Sequence, residues 1–248
     1  MDERTTHFGF ETVPIDTKRD RVSAVFDSVA SRYDVMNDLM SLGLHRVWKR
    51  YFMEIAALRP GQRVLDLAGG TGDLARLALP RVTPGGEVVL VDINAAMIGE
   101  ARRRLLDAGV GQHIRYGLGD AESLPFADAS FDCVVMGFGL RNVTRKERAL
   151  ASIFRVLRSG GKALVLEFSE VKHPWLKPLY DKYSFSILPW LGQKVAGDAE
   201  SYRYLAESIR MHPNQERLCD MMGEAGFERL KVLNLSGGIV AVHRGYKI

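Results

Sequence analysis

Arg63-Val64-Leu65-Asp66-Leu67-Ala68-Gly69-Gly70-Thr71-Gly72-Asp73-Leu74-Ala75 is the stretch that decides the fold of this 248-residue chain. Val64, Leu65 and Leu67 make a short apolar run suited to a strand buried on both faces. Gly69, Gly70 and Gly72 break that run, and helical spacing resumes at Asp73. Strand, glycine turn and helix together form a cofactor cradle, because glycines let backbone approach a ligand without interference from Cβ.

Gly70-Thr71-Gly72-Asp73-Leu74-Ala75 nominally satisfies the dinucleotide pattern G-x-G-x-x-G/A, which is weak evidence alone. The charges point elsewhere. A dinucleotide seats its phosphates on the helix N-terminus, where N–H groups and the dipole favour an anion. Here Asp73 occupies that position and Asp66 stands near the strand end. Two carboxylates repel a pyrophosphate and attract an ammonium and a sulfonium, the two cations of S-adenosylmethionine. The competing reading of Asp73 is a simple helix cap.

Working outward, Glu87 to Ile93 reads as a second buried strand ending near Asp92, about 20 positions beyond the glycines, where a carboxylate binds a ribose diol. A helix cap is the alternative for Asp92. A helix is expected from Asn94 to Ala108 and a third strand from Ile114 to Gly119. Past that strand, Asp120 can accept from an adenine amino group with Ala121 leaving room for the ring; a surface turn explains the pair equally well. Phe131 to Met136 reads as the central strand, opening into Gly137-Phe138-Gly139-Leu140-Arg141-Asn142-Val143. In an open α/β sheet the strand carboxyl ends form the ligand crevice, so Arg141 and Asn142 point where chemistry happens; a loop ion pair is the bland reading of Arg141.

Next come a helix with Ala149, Leu150, Ile153, Phe154 and Leu157 on one stripe, a fifth strand from Lys162 to Phe168, and helical patterns from Tyr202 to Ala225. A terminal hairpin, Arg229 to Leu235 and Ile239 to Tyr246, completes a seven-stranded sheet. Residues 61–248 form the core, and residues 1–60 precede it as a tail and helical cap within the same domain. The first 17 or so residues lack periodicity and are expected to stay mobile until bound. Val22, Val25, Phe26 and Val29 then recur at helical spacing, and a second helix is expected from His45 to Leu58. Residues 170 to about 200 form an insertion rich in aromatics, including Trp175, Tyr180, Phe185 and Trp190. It suits a packed crossover helix and, compatibly, a greasy lid or interfacial surface.

Composition bounds the rest. The net charge of +4 and pI near 9.1 suit an anionic membrane surface or nucleic acid without choosing between them. Cys133 and Cys219 cannot make a disulfide framework and read as core fillers, and the histidines lack metal-site spacing, so no metal is expected. No secretory signal and no apolar run of the roughly 18 residues of a membrane span are evident. The expectation is a cytoplasmic protein.

The succession resembles the class I S-adenosylmethionine-dependent methyltransferases, a Rossmann-like α/β fold. It is closer still to the ubiquinone/menaquinone biosynthesis C-methyltransferase family. The residues that carry this are Val25-Phe26-Asp27-Ser28-Val29-Ala30, Tyr33-Asp34-Val35-Met36-Asn37-Asp38, Ser41-Leu42-Gly43, His45-Arg46-Val47-Trp48-Lys49, Phe138 to Val143, Ser201 to Ile209 and His243-Arg244-Gly245-Tyr246-Lys247. The resemblance implies donor contacts at Thr71, Asp92, Asp120 and Ala121. A further contact position, often Ser in relatives, is Gly137 here, which removes a hydroxyl. The acceptor it implies is a polyprenylated quinol methylated on a ring carbon, with Tyr33, Arg141 and Asn142 as the acceptor-side group. Arg141 is expected to stabilise a developing phenolate rather than act as a base. Peripheral contact with the inner face of the membrane follows from a polyprenyl tail, and a homodimer is the expected assembly. A nicotinamide dehydrogenase, an RNA methyltransferase and a non-catalytic scaffold are the rival classes. Asp73 and the terminal hairpin oppose the first, the lack of a basic stripe interleaved with aromatics opposes the second, and the intact cradle opposes the third.

Overall fold

The computed structural model describes residues 5–29, 33–196 and 199–248, and the side chains of all of these but 29, 33, 34, 195 and 196. A two-stranded ribbon of β1 (Thr5–Phe8) and β2 (Glu11–Pro14) leads into α1 (Ile15–Val29), α2 (Tyr33–Ser41) and α3 (His45–Ala56). Then β3 (Arg63–Leu67), α4 (Asp73–Val82), β4 (Glu87–Asp92), α5 (Ala95–Asp107) and β5 (Ile114–Leu118) alternate. The second half runs through β6 (Phe131–Gly137), α6 (Lys146–Val156), β7 (Leu157–Phe168), α7 (Leu176–Lys182), α8 (Leu188–Ala196), α9 (Ala199–Arg210), α10 (Gln215–Glu224), β8 (Glu228–Leu235) and β9 (Val240–Tyr246).

The large sheet has the order β5-β4-β3-β6-β7-β9-β8. Strands β3 to β7 pair in parallel, and β9 lies antiparallel between β7 and β8. Strand periodicity divides the core. Val64, Val88 and Leu90 join one buried cluster with Trp48, Phe52, Leu74 and Ala78. Leu65, Leu67, Val89 and Val91 join the other with Leu150, Ile153 and Leu218. The expected seven-stranded α/β sheet with its terminal hairpin is what forms, and strand order reverses at β3/β6, where such sheets bind ligands.

Four expectations need correction. Residues 5–14 are not irregular: Phe8 pairs with Glu11 across a two-residue connection in which Gly9 takes φ +60. The ribbon is anchored, with Phe8 stacked on Tyr204 at 4.2 Å and the Phe10 N–H donating to Glu207 Oε2 at 3.1 Å. Helix α1 begins at Ile15 rather than Lys18, and α3 ends at Ala56. Asn94 is the cap of α5 and not its first turn: its side chain accepts from the Met97 N–H.

Candidate functional site

The carboxyl ends of β3, β4 and β6 open into a cleft of about 330 Å³. Leu67, Ala68, Gly70, Asp92, Met136, Phe138 and Asn142 line its floor and sides, and Asp16, Arg19, Val22, Ser23 and Phe26 of α1 line the wall opposite. Two non-glycine residues here hold left-handed backbone, Ala68 at φ 52 and Phe138 at φ 59. Such strain collects at functional sites. The strand ends also approach closely, since a Cβ on Gly139 would fall 2.6 Å from Ala68 Cβ.

Asp92 is the organising acid. It is buried to 8% exposure; Oδ2 accepts from the Gly70 N–H at 2.9 Å and Oδ1 from the Asn94 N–H at 2.9 Å. Burial raises its pKa despite these hydrogen bonds. Asn94 in turn donates through Nδ2 to Asp27 Oδ1 at 2.7 Å and to Ser23 Oγ at 3.1 Å, latching α1 over the cleft. Asp120 and Ala121 line the same cleft beyond β5. Asp120 Oδ1 accepts from the Glu122 N–H at 2.9 Å, and Oδ2 lies 3.6 Å from Arg19 Nη1, a second tie to α1.

The other cradle residues face away from this space. Asp66, with Val64, points to the α4 side of the sheet; its Oδ2 accepts from the Ala75 N–H at 2.8 Å. Full burial pushes its carboxyl up to about 7. Thr71 is buried and not part of the cleft wall. At Gly69 a Cβ would meet Leu90 Cγ at 2.7 Å, at Gly72 Leu105 Cδ1 at 2.6 Å, and at Gly137 Leu74 Cδ1 at 2.8 Å. These glycines allow α4 and α5 to close on the sheet, while Gly70 alone of the four borders the cleft.

Asp73 corrects the sequence-based electrostatic argument. Its carboxylate turns away from the cleft to Lys49 Nζ at 2.7 Å, with Arg104 Nη2 at 3.8 Å, and these cations hold its pKa low against burial. The negative field at the cleft comes from elsewhere: Asp16, Asp92, Asp120 and Glu122 line it against Arg19 and Arg145.

On the acceptor side, Asn142 borders the cleft, and its Oδ1 accepts from the Tyr204 hydroxyl at 3.0 Å. Arg141 lies behind the wall. Its Nη1 donates to Glu167 Oε1 at 2.8 Å and to the Phe138 carbonyl at 2.6 Å, and its backbone N–H donates to Glu167 Oε2 at 3.2 Å. A guanidinium this deeply buried needs a counter-charge, and Glu167 on β7 supplies it. The loop ion pair is therefore the geometry observed. The backbone of Tyr33 opens α2, but its side chain lies outside the described residues. Sequence reading missed Glu167, Tyr204 and the α1 residues Ser23 and Arg19; the helical stripe of Val22 and Phe26 was the one available signal that α1 packs inward.

The fold finds counterparts among solved structures. A SAM-dependent methyltransferase from Thermotoga maritima aligns with a TM-score of 0.63 at 23% identity, over 91% of this chain and 99% of that one. Phosphoethanolamine N-methyltransferase 2 of Haemonchus contortus, solved with S-adenosyl-L-methionine, aligns with a TM-score of 0.57 at 18% identity, over 77% and 49%. The fold is that of the class I SAM-dependent methyltransferases. The sequence profile of the ubiE/COQ5 methyltransferase family matches residues 15–247, and the chain belongs to that family. The ubiquinone/menaquinone biosynthesis C-methyltransferase UbiE of Methylococcus capsulatus is 60% identical over 247 residues, 100% of both chains. The protein of the same name from Legionella pneumophila is 59% identical over 245 residues, 99% of this chain and 98% of that one.

Proposed function

We propose that this chain transfers a methyl group from S-adenosylmethionine to a ring carbon of a polyprenylated quinol in ubiquinone or menaquinone biosynthesis. The observation that carries this reading is end-to-end identity of 60% to a relative of that name. The cleft fits the donor. Asp92 accepts backbone N–H groups on both oxygens, and a carboxylate's four lone-pair sites leave capacity for a ribose hydroxyl. Asp120 and Ala121 are assigned to the adenine, and they line the same cleft as the apolar Met97 and Leu67. Carboxylates outnumber guanidiniums around the cleft, which favours a cationic nucleoside. Gly70 at the cleft, with Gly69, Thr71 and Gly72 of the turn and Asp66 and Gly137 of the strands behind it, completes the donor-side assignment.

The donor supplies an electrophilic methyl. A ring carbon attacks it once an ortho or para hydroxyl gives up or shares its proton, and a ring proton then leaves. Asn142, held by Tyr204, presents its amide N–H groups to the developing phenolate oxygen. Arg141 acts from behind, fixing the Phe138–Val143 loop through the Phe138 carbonyl and lending positive potential tempered by Glu167. An arginine, with pKa above about 12, holds its proton throughout. Tyr33 is assigned to placing the ring.

The reading includes contact with the inner face of the membrane. Trp175, Leu179 and Trp190 are 68%, 61% and 59% exposed on α7, α8 and their approach, and Leu42 is 74% exposed at the neighbouring α2 end. Exposed apolar side chains of this kind suit a polyprenyl tail or a lipid interface. Among the described residues no helix is long and apolar enough to cross a membrane. Pairing of two copies also belongs to this reading. The test is to deplete the chain in its host and weigh the lipid quinones, then to supply purified chain with S-adenosylmethionine and the accumulated quinol. A species lighter by one methyl that the chain restores supports the assignment; unaltered quinones overturn it.

A further inference from the structure

A second recess, of about 170 Å³, lies on the far side of the glycine turn, between α3, α4 and α5. Five cations surround it: Arg46, Lys49 and Arg50 from α3, Arg76 from α4 and Arg104 from α5. One carboxylate, Asp73, lies among them and holds Lys49 at 2.7 Å. Arg46 is taken up by Asp38 at 2.7 Å, outside the recess. Arg104 also reaches Asp73, at 3.8 Å, so the cations of the recess left without an acid are those of Arg50 and Arg76. Arg50 and Arg76 are exposed and carry no ion pair among the described residues. Repulsion among converging cations is a cost to the fold that a solvated surface avoids by spreading its charge. The methyl-transfer reading uses none of these side chains.

We infer that this recess binds a phosphate group, and that the group belongs to the headgroup of an anionic phospholipid. Guanidiniums offer paired N–H donors in the geometry that phosphate oxygens accept. The apolar surroundings identify the source. Val47 and Tyr51, on the same helix as Arg46 and Arg50, are 58% and 47% exposed, and Leu42 and Leu44 stand exposed at the start of α3. Helix α3 thus carries greasy residues beside its arginines, the combination that seats a helix at a charged interface. A free phosphate ester needs only the arginines. The choice of lipid rests on the membrane reading above, whereas the phosphate site does not.

The test uses the full chain and the double variant Arg50→Gln/Arg76→Gln, both at exposed positions. Flotation compares vesicles of phosphatidylcholine alone with vesicles that also contain phosphatidylglycerol, and calorimetry follows glycerol 3-phosphate without lipid. The unaltered chain prefers the mixed vesicles, and the variant loses about tenfold of that affinity with binding to neutral vesicles unchanged. Trp175→Ser/Trp190→Ser weakens both vesicle types and keeps the preference between them. If the chain ignores every vesicle yet binds glycerol 3-phosphate through Arg50 and Arg76, the phosphate site stands and the membrane reading falls. Equal binding of chain and variant to mixed vesicles, or equal loss on both vesicle types, overturns the inference.

Discussion

Arg141 and Glu167 form an ion pair at 2.8 Å in which each side chain is 1% exposed. The pair joins the loop after β6 to the end of β7 and fixes the carbonyl of Phe138, whose backbone is left-handed. Removing one partner strands the other. Arg141→Met is expected to lower unfolding free energy by about 3–5 kcal/mol, and adding Glu167→Gln to recover most of it. Urea titration of the single and double variants reads this directly. Arg141→Lys keeps a charge but not the fork of donors: turnover falls while calorimetric affinity for S-adenosylmethionine stays near normal. Parallel loss of both would remove Arg141 from the acceptor side.

Tyr204 reaches the cleft only through Asn142. Tyr204→Phe deletes one hydroxyl and leaves the stack on Phe8 in place. The net worth of such a hydrogen bond is about 1 kcal/mol, so kcat drops about fivefold with KM for the donor unchanged. A variant that only destabilised the fold would lower the active fraction without altering kcat per active site.

Asn94 does two jobs with two atoms, and they separate. Asn94→Asp keeps an oxygen for the Met97 N–H, so α5 retains its cap. The same change removes the Nδ2 donor and sets a carboxylate against Asp27. Global stability should move little, while protease cleavage within α1 accelerates severalfold. Unchanged cleavage would mean that the latch does not hold the helix down.

Asp66 makes a pH prediction. Its carboxyl titrates near 7 in the fold against 3.8 in the open chain, because burial disfavours the charge. Above about 7 the group is ionised in both states and the full penalty applies; below 3.8 it is neutral in both and the penalty vanishes. Asp66→Asn, which still accepts from the Ala75 N–H, therefore gains on the parent chain as pH rises through that window and holds its advantage beyond it. Thermal melts across pH 4 to 8 check the sign.

Much of the site was legible because its logic is local. Glycines after an apolar strand and an acid at the next strand end predict Gly70 and Asp92 on one cleft, and the two meet through a hydrogen bond. Side-chain direction was not legible where a distant partner decides it. Asp73 looks like a cleft acid until Lys49, on the preceding helix, captures it. Arg141 looks like a free cation until Glu167 arrives on the next strand. The opening ribbon escaped notice because its strands are four residues each and mostly polar, although Gly9 between Phe8 and Phe10 marks the turn.

Helix α1 closes the nucleoside cleft by side-chain ties to Asp120 and Asn94, and the ribbon before it is fastened to α9. The outer wall is thus a helix held by polar ties at its edges and by Val22, Val25 and Phe26 against the core. On the donor assignment above, a nucleoside in the cleft lies against side chains of α1, so the pace of successive turnovers is expected to depend on a segment that touches no reacting atom.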